Sequence, residues 1–216
     1  MESLTIVKDS LYEHLHPLTT VAGQHFVSNF SRHSLDTKRW HIQQIVSTCA
    51  FAPEDSVDGG LLISTDSGSG SPSAYLSFND ICQYDPTGFR FISTCKKGSD
   101  SNVGIKAGIG SDDATANPAH LSLMTAGSLV SHRALATKDG STASQTNSDV
   151  AVSSTEFVYD IVGNGSNNIL SLDGVTKVTK TTNLPTAKCQ PLLYIQSRST
   201  AAVKTWNCKY VECFNT

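Results

Sequence analysis

The sequence predicts an all-β chain folded as a two-sheet antiparallel sandwich. Serine and threonine supply nearly a quarter of the 216 residues, and helical heptads are absent after the first twenty. Short apolar runs recur between turn signals. Within them alternate residues are apolar, as in Phe89-Arg90-Phe91, Tyr75-Leu76-Ser77-Phe78 and Trp206-Asn207-Cys208-Lys209-Tyr210. Two sheets packed face to face bury such faces against each other.

The first element is an exception. Leu4, Val7, Leu11 and Leu15 follow helical spacing until Pro17 ends the run. A helix this short is marginal alone in water, so the arm 1–25 is expected to dock on the domain 26–216 or on a neighbouring subunit. Those four side chains are the candidate subunit contacts. Strands are expected over 40–49, 60–65, 74–78, 88–96, 103–108, 120–125, 156–162, 169–172, 192–197 and 204–214. Asp58-Gly59-Gly60, Asp85-Pro86-Thr87-Gly88 and Asn164-Gly165 supply turn chemistry between them. Asp173-Gly174 centres a hairpin over 168–177. The small, polar stretches 66–73 and 138–154 read as exposed loops.

Charge and hydropathy exclude partners. Sixteen Lys and Arg against 19 Asp and Glu give a formal net charge of -3, and no basic run exceeds Lys96-Lys97, so no nucleic-acid partner is expected. No stretch approaches the roughly 18 to 20 apolar residues of a membrane-spanning helix, so no membrane insertion is expected. The start of the chain has neither the basic nor the apolar region of a secretory signal, and the chain is expected to act with Met1 in place. Accordingly the sequons Asn29-Phe30-Ser31 and Asn164-Gly165-Ser166 read as chance. The six cysteines form no Cys-x-x-Cys pair and read as buried free thiols, a disulfide formed after release being the alternative. Cys208 and Cys213 would point to opposite faces of a regular strand and could not pair without a bulge.

Catalytic patterns are scarce. The seven histidines lack the i, i+4 spacing of a zinc helix, and the side chains of His14 and His16 would diverge. Asp112-Asp113 and Glu54-Asp55 lie in turns and could join a calcium site with carbonyls, although the spacing matches no calcium loop. No cofactor is expected otherwise. There is no Gly-x-Ser-x-Gly elbow, and Gly104-x-x-x-Gly108-x-Gly110 lacks the ending of a phosphate loop, so these glycines read as close strand packing or a bulge. Glu156 and Asp160 share a strand face, but four residues separate them by about 13 Å. That exceeds both the ~5–5.5 Å of a retaining carboxylate pair and the ~6.5–9.5 Å of an inverting one. Trp40 and Trp206 sit in strand patterns and read as core.

The run Asn29-Phe30-Ser31-Arg32-His33-Ser34-Leu35-Asp36-Thr37-Lys38-Arg39-Trp40 resembles the opening of concanavalin A-like lectin/glucanase (LamG-like) domains found in phage and other virion proteins. There a Phe and a Leu-Asp-x-x-x-Trp start the first strands. Asp58-Gly59-Gly60-Leu61-Leu62-Ile63-Ser64-Thr65, Asp85-Pro86-Thr87-Gly88-Phe89-Arg90 and Val103-Gly104-Ile105-Lys106-Ala107-Gly108 fit the same template. So do Asp173-Gly174, Thr181-Thr182-Asn183-Leu184-Pro185, Pro191-Leu192-Leu193-Tyr194-Ile195 and the closing segment 206–214. The resemblance implies a jelly-roll sandwich. The glucanase relatives carry a Glu-x-Asp-x-x-Glu strand that this chain lacks, and lectin relatives bind sugars through aromatic platforms and carboxamides in loops, often with calcium. The expectation is therefore a non-enzymatic structural protein located in the virion, as a capsid decoration or a tail or fibre component. It would contact other virion proteins or copies of itself in a homo-oligomer, and also the host surface. The alternatives are a carbohydrate-binding, lectin-like module that reads a surface glycan and, third, a β-glucanase-type glycoside hydrolase.

Overall fold

A computed structural model of the chain describes residues 25–30, 35–54, 59–66, 71–97, 103–115, 117–127, 130–198 and 203–216. Leu4, Val7, Leu11, Leu15 and the expected helical arm lie outside them. The strands in chain order begin with β1 His25–Asn29, β2 His41–Val46, β3 Cys49–Pro53, β4 Leu61–Thr65 and β5 Ser73–Ser77. They continue with β6 Phe89–Lys97, β7 Val103–Gly110, β8 His120–Gly127, β9 Val130–Asp139 and β10 Thr142–Ala151. The last five are β11 Phe157–Gly163, β12 Asn168–Leu172, β13 Val175–Lys180, β14 Gln190–Ser197 and β15 Thr205–Asn215.

These strands make two antiparallel sheets, the jelly-roll sandwich that the alternation and the resemblance lead one to expect. One has eight strands in the order β13-β12-β11-β6-β15-β4-β3, with β1 also pairing β15. The other has seven in the order β10-β9-β8-β7-β14-β5-β2. Late strands lie beside early ones in both. One flank of β15 pairs with β6; the other pairs with β4 over Thr205 to Cys208 and with β1 over Tyr210 to Phe214. The register breaks between Cys208 and Tyr210, where β4 gives way to β1. That bulge turns Cys208 and Cys213 onto the same core, which a regular strand would forbid.

The core between the sheets is aromatic at one end. Asp36 sets the entry: its carbonyl accepts from Trp40 N at 2.9 Å and its Oδ1 accepts from Lys38 N at 3.1 Å. This turn swings Trp40 inward against Phe26, Phe30 and Phe78, with ring centroids 5.1–5.7 Å away. The Leu-Asp-x-x-x-Trp element thus has a packing purpose. Trp40 and Trp206 are both core residues, 3% and 0% exposed. All six cysteines are free thiols, and Cys95 and Cys208, register partners on β6 and β15, have their sulfurs 3.4 Å apart.

The strand pattern needs four corrections. β1 pairs with β15 at the border of the expected arm and domain, where no strand is expected. The expected strand 40–49 is two strands in different sheets, because Ser47 at φ 55° turns a corner after β2. Gln44 bridges that corner, donating from Nε2 to Cys49 O and accepting Cys49 N at Oε1, both at 2.8 Å. The stretch 138–154, expected as a loop, holds the end of β9 and all of β10. As an edge strand with most side chains exposed, β10 has no apolar face to betray it. β9 was missed because a charged residue occupies a core position. Arg133 is 1% exposed, donates to Tyr159 Oη at 2.9 Å and to the Ala151 and Ser153 carbonyls, and its guanidinium lies 4.0 Å over the Phe157 ring. In contrast, the hairpin at Asp173-Gly174 forms as expected, with φ of 49° and 78° at its two turn residues.

Candidate functional site

The outer face of the seven-stranded sheet carries a second apolar cluster, separate from the inter-sheet core: Tyr75, Leu121, Leu123, Leu192 and Tyr194. Because strand side chains alternate, these residues and their same-face neighbours form rows across the sheet. One row runs Tyr75, Tyr194, Lys106, Thr125, Ala134. The next runs Leu192, Gly108, Leu123, Ala136, Gln145, and a third Gly110, Leu121, Lys138, Ala143. Successive rows stand about 7 Å apart.

The glycines of β7 shape this face. Gly104, Gly108 and Gly110 leave Lys106 as the one side chain that β7 projects outward. A Cβ on Gly108 would overlap Ser122 O and stand 2.9 Å from Leu123 Cα, so β7 and β8 run closer than side chains allow. A Cβ on Gly110 would overlap Leu192 Cδ1, and one on Gly104 would stand 3.2 Å from Arg198 Nε. Close strand packing, as read from the sequence, is therefore the purpose of this glycine series.

Over β7 to β10 the face opens into a groove of about 490 Å³. Leu121, Leu123, Thr125 and Ala136 line it, along with Ala143, Gln145, Ser141 and Asn117 and the cations Lys106, Lys138 and Arg198. Lys106 Nζ sits 4.8 Å over the Tyr194 ring and donates to Asn117 Oδ1 at 3.4 Å. Lys138 Nζ donates to the Asn117 carbonyl at 3.1 Å. Burial, and then the charges of Arg198 and Lys138, pull the Lys106 amine down to about 8. Tyr75 and Tyr194 pack with centroids 4.6 Å apart, and burial pushes both phenols up. No Asp or Glu is among the described residues that line the groove.

Carboxylates cluster at one end of the sheet. Asp113 is 3% exposed, accepts from Ser77 Oγ and faces His41 Nδ1 at 3.4 Å. Its backbone N donates to Asp80 Oδ1 at 3.1 Å, the atom that also accepts Gln190 Nε2 at 2.8 Å. The Asp112-Asp113 turn is thus a hydrogen-bonded lock between β5, β14 and the turn before β8. Among the described residues no group of three or more His, Cys, Asp or Glu is placed to hold a metal. Glu54 accepts from Asn207 Nδ2, while Asp55 lies outside the described residues. Asp160 lies on β11 of the other sheet and Glu156 just precedes that strand; they pair with Arg90 and Lys209, each at 2.8 Å. The groove residues went unnoticed in the sequence, although one signal was present: period-two reading of 103–110 isolates Lys106 among glycines on one face.

No protein-family model and no curated protein matches the sequence. Solved structures do. The chain is similar to a protein of unknown function from Shewanella oneidensis MR-1, at 13% identity and a TM-score of 0.67 over 100% of this chain and 94% of that one. It is similar to an endo-acting O-glycanase expressed by members of the human gut microbiota, at 11% identity and a TM-score of 0.66 over 88% and 98%. A third is the GlcNAcα1-4Gal-releasing endo-β-galactosidase of Clostridium perfringens, at 12% identity and a TM-score of 0.65 over 92% and 64%. A β-glucanase from Bacillus licheniformis and the carbohydrate recognition domain of Emp47p share the architecture too. At such identities the likeness is one of fold, and the fold is the concanavalin A-like sandwich.

These neighbours correct the functional expectation. They are named mainly as glycoside hydrolases, which counts against the expected non-enzymatic structural role in a virion and against the expectation that the chain is not an enzyme. A groove assembled by register across several strands leaves no contiguous motif to find.

Proposed function

We propose that this protein is carbohydrate-active and takes a glycan chain in the groove over β7 to β10. The groove itself carries the reading. Its volume of about 490 Å³ falls within the roughly 300–1,000 Å³ of small-ligand sites. A pyranose presents an apolar C–H face and a polar rim; Ala136 and Ala143, with Leu121 and Leu123 buried beside them, match the first, and Asn117, Thr125, Ser141 and Gln145 the second. The fold neighbours support it, being named as glycosidases and as a carbohydrate recognition domain. Hydrolysis by two carboxylates would draw its acid and its nucleophile from outside the described lining residues, which contain none.

The test is a panel of soluble polysaccharides scored both for binding, by affinity electrophoresis, and for newly released reducing ends. The expected result is retardation by at least one polysaccharide, lost in Ala136→Met, whose uncharged side chain enters the groove from β9 while the thermal midpoint stays near that of the parent. Released ends that are lost in the same variant would mark cleavage at the same face. A protein neither retarded by nor acting on any polysaccharide, or equally retarded after Ala136→Met, would contradict the proposal.

A further inference from the structure

Resting on that reading of the groove, we infer that its ligand is an anionic glycan, a chain carrying carboxylate or sulfate groups that Lys106, Lys138 and Arg198 engage together. The three cations come from three elements, β7, β9 and the end of β14. Lys106 and Lys138 stand two strands and two rows apart, yet both amines reach Asn117, one at its side-chain oxygen and one at its carbonyl, 3.4 and 3.1 Å away. Arg198 approaches from the other end. Its guanidinium lies against Gly104, with Nε 3.2 Å and Nη2 3.4 Å from where a Cβ would stand, a tight approach that the glycine accommodates. Arg198 thus joins the face that already holds Lys106.

Composition does not account for this grouping. The chain as a whole is acidic, at a formal -3, whereas the described lining of the groove holds three cations and no carboxylate. Asp139, next to Lys138 in the chain, is engaged by His120 and Thr186, each at 2.8 Å, and Asp112 by Ser111 at 3.1 Å. Like charges held together on a partly buried face repel: burial lowers the Lys106 amine most, and the charges of Arg198 and Lys138 lower it further. A bound anion reverses that balance. A nucleic acid would need a longer basic track than three side chains in one groove.

Two matched pairs of polymers test the inference on the full-length chain. Polygalacturonate is compared with its fully methyl-esterified form, and dextran sulfate with dextran, at low and at physiological salt. The expected result is binding at least tenfold tighter to one charged member than to its neutral counterpart, weakening as salt rises. Arg198→Gln and Lys138→Gln should each lower that affinity about tenfold, with unchanged thermal midpoints, and narrow the preference for the charged member over its neutral counterpart. Preference for polygalacturonate identifies a uronate ligand, and preference for dextran sulfate a sulfated one. Equal binding of charged and neutral members, or unaltered affinity in both variants, overturns the charge inference and leaves the glycan groove standing. Binding of a single-stranded oligonucleotide in place of either charged polymer also overturns it. Failure of all four polymers, with no retardation in the wider panel, removes the groove reading as well.

Discussion

Lys106 is where stability and function pull apart. Its amine is lowered from 10.5 to about 8, chiefly by burial. Between those values the unfolded chain binds a proton that the folded chain does not, so native stability should rise with pH across about 8 to 10.5. Below pH 8 the folded protein instead carries a charge that its surroundings disfavour. Lys106→Met should therefore stabilise the protein by about 1–3 kcal/mol at pH 7 and abolish the rise, as denaturant titrations at several pH values would show. A loss of stability at pH 7 would refute this account of the residue. The cysteines illustrate the opposite, inert case. Burial pushes Cys49 and Cys82 up to about 11, leaving little thiolate near neutrality. At this scale the sequence was readable wherever a residue type has one strong habit, as for Trp40 and Trp206 in the core. It was silent on Lys106, Lys138 and Arg198, because a lysine or arginine on a strand is ordinarily a solvated side chain and only register reveals that the three meet.

At the scale of elements, legibility followed burial. β14 and β5, covered on both faces, announce themselves as near-continuous apolar runs, and the β12–β13 hairpin is marked by Asp173-Gly174. β10 has most of its side chains in water and so carries no pattern, and β9 hides a buried arginine among its core positions. Glycines rank the elements by constraint. Gly174, at φ 78° with open space around it, needs its turn conformation alone. Gly108 needs the absence of a side chain, since β8 backbone occupies the space. Gly174→Ala is accordingly expected to cost about 1 kcal/mol, and Gly108→Ala about 3 kcal/mol with β7 and β8 forced apart. Urea unfolding of both variants checks the order, and equal losses would contradict the close approach of the two strands.

For the molecule as a whole, the interleaving of late and early strands makes the C-terminal segment indispensable. β15 lies inside the eight-stranded sheet and contributes Trp206, Cys208, Val211 and Cys213, each 0% exposed. A chain ending at Val203 should show no cooperative unfolding transition, whereas a folded product would mean that the sheet closes without its inner strand. The two-sheet fold was legible because alternation and turn chemistry are local. The groove was not, because it exists only where β7 to β10 lie side by side, and its apolar floor is indistinguishable in sequence from core. The central claim is that a glycan lies on that face. Amide chemical-shift mapping of the isotope-labelled chain with a short oligosaccharide of the polysaccharide it binds tests it most directly. The account predicts shifts concentrated at Lys106, Leu123, Thr125, Ala136 and Gln145. Shifts confined to the opposite sheet around Arg90 and Asp160, or none at saturating ligand, would contradict it.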